Sequence, residues 1–308
     1  MAKIAVVGEG VIDRFLMNDS HTDVIGGSGL NTAVAMKRAG ADVVWFTRLA
    51  SDANGKALTQ YASAEGVLAN HLITGTEPAS LVEIQLADDG QPTYSFCLEG
   101  AVDWNWSEDE LSGLSNRFQV VQISSLSAVL DPGADLILET VERLRTLPNP
   151  PLITYDPNAR PSAAQNEIQA QQMRSRIARM VGLSDLVKVS DEDLAWLVPD
   201  RNPIDSAKLW SKQGPKLVVL TRGAEGAKTF SDGEELVSIP GQSVQVIDTV
   251  GAGDTFMAWL VAQIANQFEC KIPTEMSAVT CLLEKAAKAA AITCSRKGCN
   301  PPFVDEIL

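Results

Sequence analysis

Histidine is nearly absent: the 308 residues hold two. There are five cysteines, Cys97, Cys270, Cys281, Cys294 and Cys299, and none falls in a C-x-x-C pair. The lack of clustered Cys/His spacing argues against a structural zinc site. An odd, unpaired set reads as free thiols in a reducing, cytoplasmic setting. No run of about 18 apolar residues occurs, so no segment reads as membrane-spanning. The opening "MAKIAVVGEGVIDRF" carries one lysine before an apolar run that stops at Glu9. That run is too short for a signal peptide's apolar core and reads as a first strand. Positive charge is also scarce, 25 Lys and Arg against 39 Asp and Glu, for a net charge of −14 and a pI near 4.6. An acidic surface repels phosphate backbones and anionic lipid, so neither nucleic acid nor a membrane surface is an expected partner. "NWS" at 105–107 matches a glycosylation sequon, but with no secretion signal it is read as chance. Internal repeats and low-complexity linkers are missing too.

What is present is the profile of a soluble globular protein with a large core, 45% hydrophobic and 21% charged. Apolar runs alternate with helical patterns. "KIAVVGEG" (3–10) reads as a buried strand, "GLNTAVAMKRAG" (29–40) as a helix and "DVVWFTRLA" (42–50) as the next strand. "VVQISSL", "PLITYDPN", "DLVKVS" and "KLVVLTRG" follow, with helices expected over 133–146, 162–181, 191–198 and 204–213. Continuous apolar strands separated by helices predict an α/β fold with a mainly parallel sheet covered on both faces. The segment 80–101, "SLVEIQLADDGQPTYSFCLEGA", alternates instead, and predicts an antiparallel hairpin turning at "DDGQP". The region 13–25 lacks helical period and suits further strands. The reading is one domain over 1–308, with lid segments at about 13–27 and 80–103.

Near the end, "DTVGAGDTF" (248–256) runs into a helix expected over 252–267, with another over 274–292. Glycines before a helix let a ligand approach the backbone, and the free N–H groups of a helix N-terminus hold anions. Gly251, Ala252 and Gly253 therefore suit a phosphate or a phosphoryl group in transfer. Asp254 would repel a merely bound phosphate. It makes sense as the acceptor of a proton from a hydroxyl attacking that group. An ordinary Asp stabilising the helix dipole fits the segment as well, and the segment alone leaves both readings open. No G-x-x-x-x-G-K-[ST] occurs, and "GEGVID" (8–13) carries Asp13 where a dinucleotide fingerprint needs its third glycine.

Open α/β sheets bind ligands at the carboxyl ends of their strands. Asp13 follows the first strand and can accept hydrogen bonds from sugar hydroxyls. "GGSGLN" (26–31) opens a helix and offers Ser28 and Asn31. "DPNAR" (156–160) leaves another strand with Asp156, Asn158 and Arg160. Each alone reads as a cap or a loop; together they mark one sheet edge as a candidate site.

"GGSGLNTAVAMKRAGADVVWFTRLASDANGKAL", followed far downstream by "DTVGAGDTF", resembles the two signatures of the ribokinase-like, phosphofructokinase-B-type sugar kinases. The likeness runs along essentially the whole chain. "DPNAR", "VKVSDED", "TRGAEGA" and "AAITCSRKGCNPP" resemble the fructokinase branch in particular. The resemblance implies a three-layer α/β/α domain with a β-strand lid, and ATP and Mg2+ as cofactors. It implies Asp254 as catalytic base and Gly251, Ala252 and Gly253 as the anion hole. Arg160 would stand near the transferred group. Asp13, Gly26, Gly27, Ser28 and Asn31 would meet the sugar. Lys188, Ser190, Thr221, Gly223 and Gly226 would meet ATP, as would Gly251 and Gly253. Asp193 would reach magnesium through water; Asp248 and the Val250 carbonyl match a monovalent cation position, K+ in several members. Lid strands in the family often pair across a homodimer. Three positions depart from the pattern. Ser190 and Asp193 stand where Asn-x-x-Glu is usual. Trp259 replaces a small residue and is expected to alter the pocket floor. Leu98 replaces an arginine that helps bind acidic sugars, which implies a neutral sugar.

The sequence thus supports an ATP-dependent kinase of a neutral sugar hydroxyl, fructose first. Ribokinase, nucleoside, aminoimidazole riboside and 2-keto-3-deoxygluconate kinases are the alternatives. A non-catalytic sugar-binding relative is the reading from another class.

Overall fold

The computed structural model describes residues 2–17, 20–86 and 92–307. The chain opens with β1 (Lys3–Val7), whose residues point alternately to two cores. Ile4 and Val6 enter one apolar cluster, Ala5 and Val7 the other. This two-sided burial makes the sequence run continuously apolar where a half-exposed strand would alternate. The same holds for β4 (Asp42–Ala50), β8 (Val120–Ser124), β9 (Leu152–Asp156), β10 (Leu186–Ser190) and β11 (Leu217–Thr221). They run parallel with β5 (Leu68–Gly75), and β12 (Ala227–Ser231) and β13 (Glu234–Ile239) extend the sheet antiparallel to their neighbours. The order is β13-β12-β11-β10-β9-β8-β1-β4-β5.

Helices cover both faces. On one side lie α1 (Ser28–Arg38), α2 (Ala53–Ala64), α8 (Ala252–Gln267) and α9 (Met276–Cys294). On the other lie α3 (Glu108–Leu111), α4 (Ala134–Arg145), α5 (Glu167–Leu183), α6 (Asp191–Leu197) and α7 (Pro203–Trp210). The three-layer α/β/α arrangement is the one expected. The helix over 252–267 falls where the sequence places it. The one expected at 162 starts at Glu167, because Asn166 caps it by accepting from the Gln169 amide at 3.0 Å. No helix among the described residues is long and apolar enough to cross a membrane.

The topology places the site. From β1 the chain goes to β4 on one side, while β8 returns to the other, so the sheet's direction of winding reverses between β1 and β8. Open α/β sheets leave a crevice at such a point, outside the carboxyl ends of the strands.

A second sheet stands apart from the nine strands, in the order β3-β2-β6-β7. It is built from β2 (Val11–Met17), β3 (Ser20–Gly26), β6 (Leu81–Leu86) and β7 (Pro92–Cys97). Both segments outside the βα rhythm are therefore strands. The expected turn at 88–92 falls largely on residues 87–91, outside the described residues. Asp13 falls within the expected lid segment, as the third residue of β2, opposite Val24 and Val82. The first strand ends at Val7, and "GEG" is the link that turns the chain up into the smaller sheet.

Candidate active site

α8 begins at a tight turn. Gly251, its N-cap, has φ 75°, and a β-carbon there would come within 2.2 Å of the Cys299 sulfur. Glycine is required on both counts. Among the described residues, the amides of Gly251, Gly253 and Asp254 meet no protein acceptor. Gly253 is exposed. These are the orphan donors of a helix start, with the positive end of its dipole behind them. Ala252 differs, since its amide donates to Thr249 O at 3.2 Å.

Asp254 lies in this first turn, buried, and its carboxylate is aimed by α1. Ser28 Oγ donates to Oδ1 at 2.6 Å and Asn31 Nδ2 to Oδ2 at 2.9 Å. Residues more than 220 positions apart in sequence thus meet as three side chains of one site. Two donors on a carboxylate hold it in one orientation and leave a lone pair on each oxygen for another proton.

The start of α1 is packed backbone to backbone against the "GEG" link. A β-carbon on Gly27, at φ 100°, would lie 2.7 Å from the Glu9 carbonyl, and one on Gly29 would lie 2.4 Å from Gly8. A β-carbon on Gly26 would lie 2.7 Å from the Asp13 carboxylate, so the glycine leaves room for it. Asp13 shares its sheet face with Val11 and Phe15, beside Val82. Burial in that wall pushes the Asp13 carboxyl up to about 6, against the pull of the Arg160 charge. Arg160 itself is exposed, with Nη1 on Ala159 O at 3.0 Å.

Toward β10 and β11 the site turns cationic and open. Lys188 Nζ sits 3.0 Å from Asp156 in a buried pair, and 3.2 Å from where a Gly253 β-carbon would stand. Burial opposes the Lys188 ammonium, but Asp156, Asp193 and Asp254 outweigh it and hold its pKa above the ordinary value. Thr221 ends β11; Gly223 (φ 51°) has nothing within 4 Å of a β-carbon, and Gly226 (φ 93°) would strike Ile239 O. Ser190 and Asp193 cap α6 reciprocally: Ser190 Oγ accepts from the Asp193 amide at 2.9 Å and Asp193 Oδ2 from the Ser190 amide at 3.1 Å. Asp193 Oδ1 also accepts from the Ala159 amide at 2.8 Å. Asp248 accepts from the amides of Val250 at 3.0 Å and Gly298 at 2.9 Å. Among the described residues no three His, Cys, Asp or Glu side chains group as a metal cage.

One expectation is corrected. Trp259 is 2% exposed in the core and lines a cavity with Ala39, Gln263 and Lys285, with none of the residues above, so it forms no part of this pocket's floor. Leu98 packs in the cluster that holds Trp104 and also lines a cavity beside the smaller sheet with Leu81, Phe96 and Gln165. Sequence reasoning also missed Glu9 and Asp103. Both are fully enclosed carboxyls beside Asp254 or the Gly10 amide, and an acidic residue inside "GEG" or "AVDW" carries no spacing signal of its own.

A helix start with free amides, a carboxylate aimed beside it and a buried lysine across from it suit a phosphoryl group next to a hydroxylic ligand. The pfkB family carbohydrate kinase model matches residues 1–306, and the chain belongs to that family. It is 32% identical over 266 residues to a fructokinase of Rhizobium leguminosarum bv. trifolii, spanning 85% of this chain and 79% of that one. Its fold is that of a Xylella fastidiosa fructokinase solved with bound ATP (TM-score 0.85, 23% identity, 99% and 96% of the two chains). It is equally that of the Salmonella enterica aminoimidazole riboside kinase (TM-score 0.83, 22% identity, 99% and 98%).

Proposed function

We propose that this carbohydrate kinase transfers the γ-phosphoryl group of ATP to a hydroxyl of fructose, with Asp254 as the base. The observation that carries the reading is the Ser28–Asp254–Asn31 arrangement at the free-amide end of α8. The name of the Rhizobium relative supports fructose. Asp13 and Asn31 accept and donate to the sugar hydroxyls, and Asp254 takes the proton of the attacking one. Its oxygen then bonds to phosphorus as the bond to the β–γ bridging oxygen breaks, and ADP leaves. The amides of Gly251 and Gly253 face the charge on the transferred group; Lys188 and Arg160 flank it.

The nucleotide is assigned to the open edge at Thr221, Gly223 and Gly226. The donor set fits magnesium brought in on the phosphates rather than held in a protein cage, with Asp193 and Ser190 reached through water. That ion would neutralise phosphate charge. A monovalent cation would sit at Asp248 and the Val250 carbonyl. The smaller sheet acts as the lid, and its exposed Leu16, Met17 and Val24 suit pairing with a second copy.

The test is ADP release with fructose, ribose and 2-keto-3-deoxygluconate under one magnesium and potassium concentration. The highest kcat/KM is expected for fructose, and Asp254→Asn should lower kcat at least about 100-fold. Turnover of the variant within a few-fold of wild type removes Asp254 as base. Equal efficiency with the ketodeoxy acid removes the neutral-sugar reading.

A further inference from the structure

We infer that Glu9 is a positioning residue for Asp254: its side chain and carbonyl clamp the first turn of α1, from which Ser28 and Asn31 hold the base. The inference rests on the assignment of Asp254 as the base. α1 lacks a cap of its own, because its N-cap is Gly27, with no side chain to accept a hydrogen bond. Glu9 supplies one from the link after β1. Its Oε1 accepts from the Ser28 amide at 3.3 Å and its carbonyl from the Leu30 amide at 3.2 Å. Both donors to Asp254 are on the turn held in this way.

The surroundings of the carboxyl determine its charge. Glu9 is 4% exposed, and Oε2 is buried with no hydrogen-bond partner. Asp103 faces it from the 3-10 turn Val102–Trp104, and Asp254 from α8. The Ser125 hydroxyl stands beside it, on a residue held at φ 51° just after β8. Among these facing groups there is no cation, since Lys188 is paired with Asp156. A charged Glu9 would therefore be buried among carboxylates with no cation to offset it, only hydrogen bonds from backbone amides and the Ser125 hydroxyl. Burial first, then Asp103 and Asp254, push its pKa up to about 8. Below that pH the proton rides on the carboxyl. Above it, a new negative charge appears beside the site where phosphoryl charge must be accommodated.

Glu9→Gln keeps the shape, the acceptor for the Ser28 amide and the neutral charge. Glu9→Ala removes the clamp. With fructose and ATP saturating, wild-type kcat is expected to fall above about pH 8. Glu9→Gln is expected to keep kcat within about threefold at pH 7 and to show no alkaline fall. Glu9→Ala is expected to lose about 10- to 100-fold in kcat and to raise the sugar KM less than that, because the loosened turn misaims the base and also carries Asn31, one of the two side chains assigned to the sugar. Infrared difference spectra at pH 7 are expected to show a protonated-carboxyl band in wild type that is lost in Glu9→Gln. The inference is overturned if the alkaline fall persists in Glu9→Gln, if Glu9→Ala retains kcat, or if no such band disappears. Should wild type phosphorylate none of the sugars, the base assignment fails and takes the positioning role with it, while the infrared band still decides the charge of Glu9.

Discussion

Under the proposed function, the surroundings of Asp13 would set a pH limit on catalysis. As a sugar contact it accepts hydroxyls most strongly as a carboxylate, and burial in the apolar wall of β2 and β6 pushes its pKa to about 6. It is ionised above that pH and protonated below, so kcat/KM should fall as pH drops through about 6. Asp13→Asn, measured from pH 5 to 8, should lose the acid limb and about 10- to 100-fold in kcat/KM, the scale of one charge-assisted hydrogen bond. An acid limb unchanged in the variant would move its origin elsewhere. The type of residue needed here was legible from the sequence, since a carboxylate near a sheet edge suits hydroxyls. Its place in a strand-built lid segment was legible too, but not its partners, because the turn up from β1 depends on glycines whose neighbour is a distant helix.

At the scale of elements, the parallel strands were readable because burial on both faces leaves no polar alternation, and α8 because a glycine turn precedes a long apolar run. β12 was missed: five residues, one of them a lysine paired with Glu235, carry too little periodicity. The β2–β3 and β6–β7 hairpins form a sheet with a small apolar cluster of its own, Val11, Val82 and Ile84 with Phe15 and Phe96 beside them, while Ile12, Ile25 and Leu81 pack into the main core. A sheet tied to the larger layers through a few residues can hinge on them, and a phosphoryl-transfer site must exclude water to avoid hydrolysing ATP. Amide exchange in β6 and β2 should slow at saturating fructose and stay unchanged with a sugar that is not phosphorylated. Equal exchange with and without fructose would mean that the small sheet does not close.

For the whole molecule, the buried carboxyls set how stability varies with pH. Glu9 is raised to about 8 and Asp103 to about 6, burial first in both cases. A carboxyl raised on folding contributes its full stability below its unfolded value and loses it as pH climbs through the folded one. Asp23, Asp135 and Glu306 are lowered, by Arg14, by Arg176 and by the Phe303 amide respectively, and act the other way, losing their contribution as pH falls below the ordinary carboxylate range. They are exposed and weigh little. The Tm of the ligand-free protein should peak near pH 5 and drop by at least about 5 °C toward pH 9, given that each kcal/mol moves a domain of this size by about 2–4 °C. A Tm that rises from pH 5 to 9 would show that these groups are charged in the folded protein.

The glycine contacts between the "GEG" link and the start of α1 also constrain how this chain can vary. A β-carbon on Gly8 would come within 2.6 Å of Gly29 Cα, and one on Gly29 within 2.4 Å of Gly8. Neither residue can gain a side chain while the other backbone stays in place, and shrinking a neighbour makes no room, because there is no smaller residue than glycine. Second-site suppressors for substitutions at these positions should therefore be absent from a saturation library, whereas Ile12 or Val34 should each tolerate compensated swaps. Diversification of this scaffold toward other sugars is then channelled away from the seam and into the walls of the smaller sheet, where side chains rather than backbone meet the ligand.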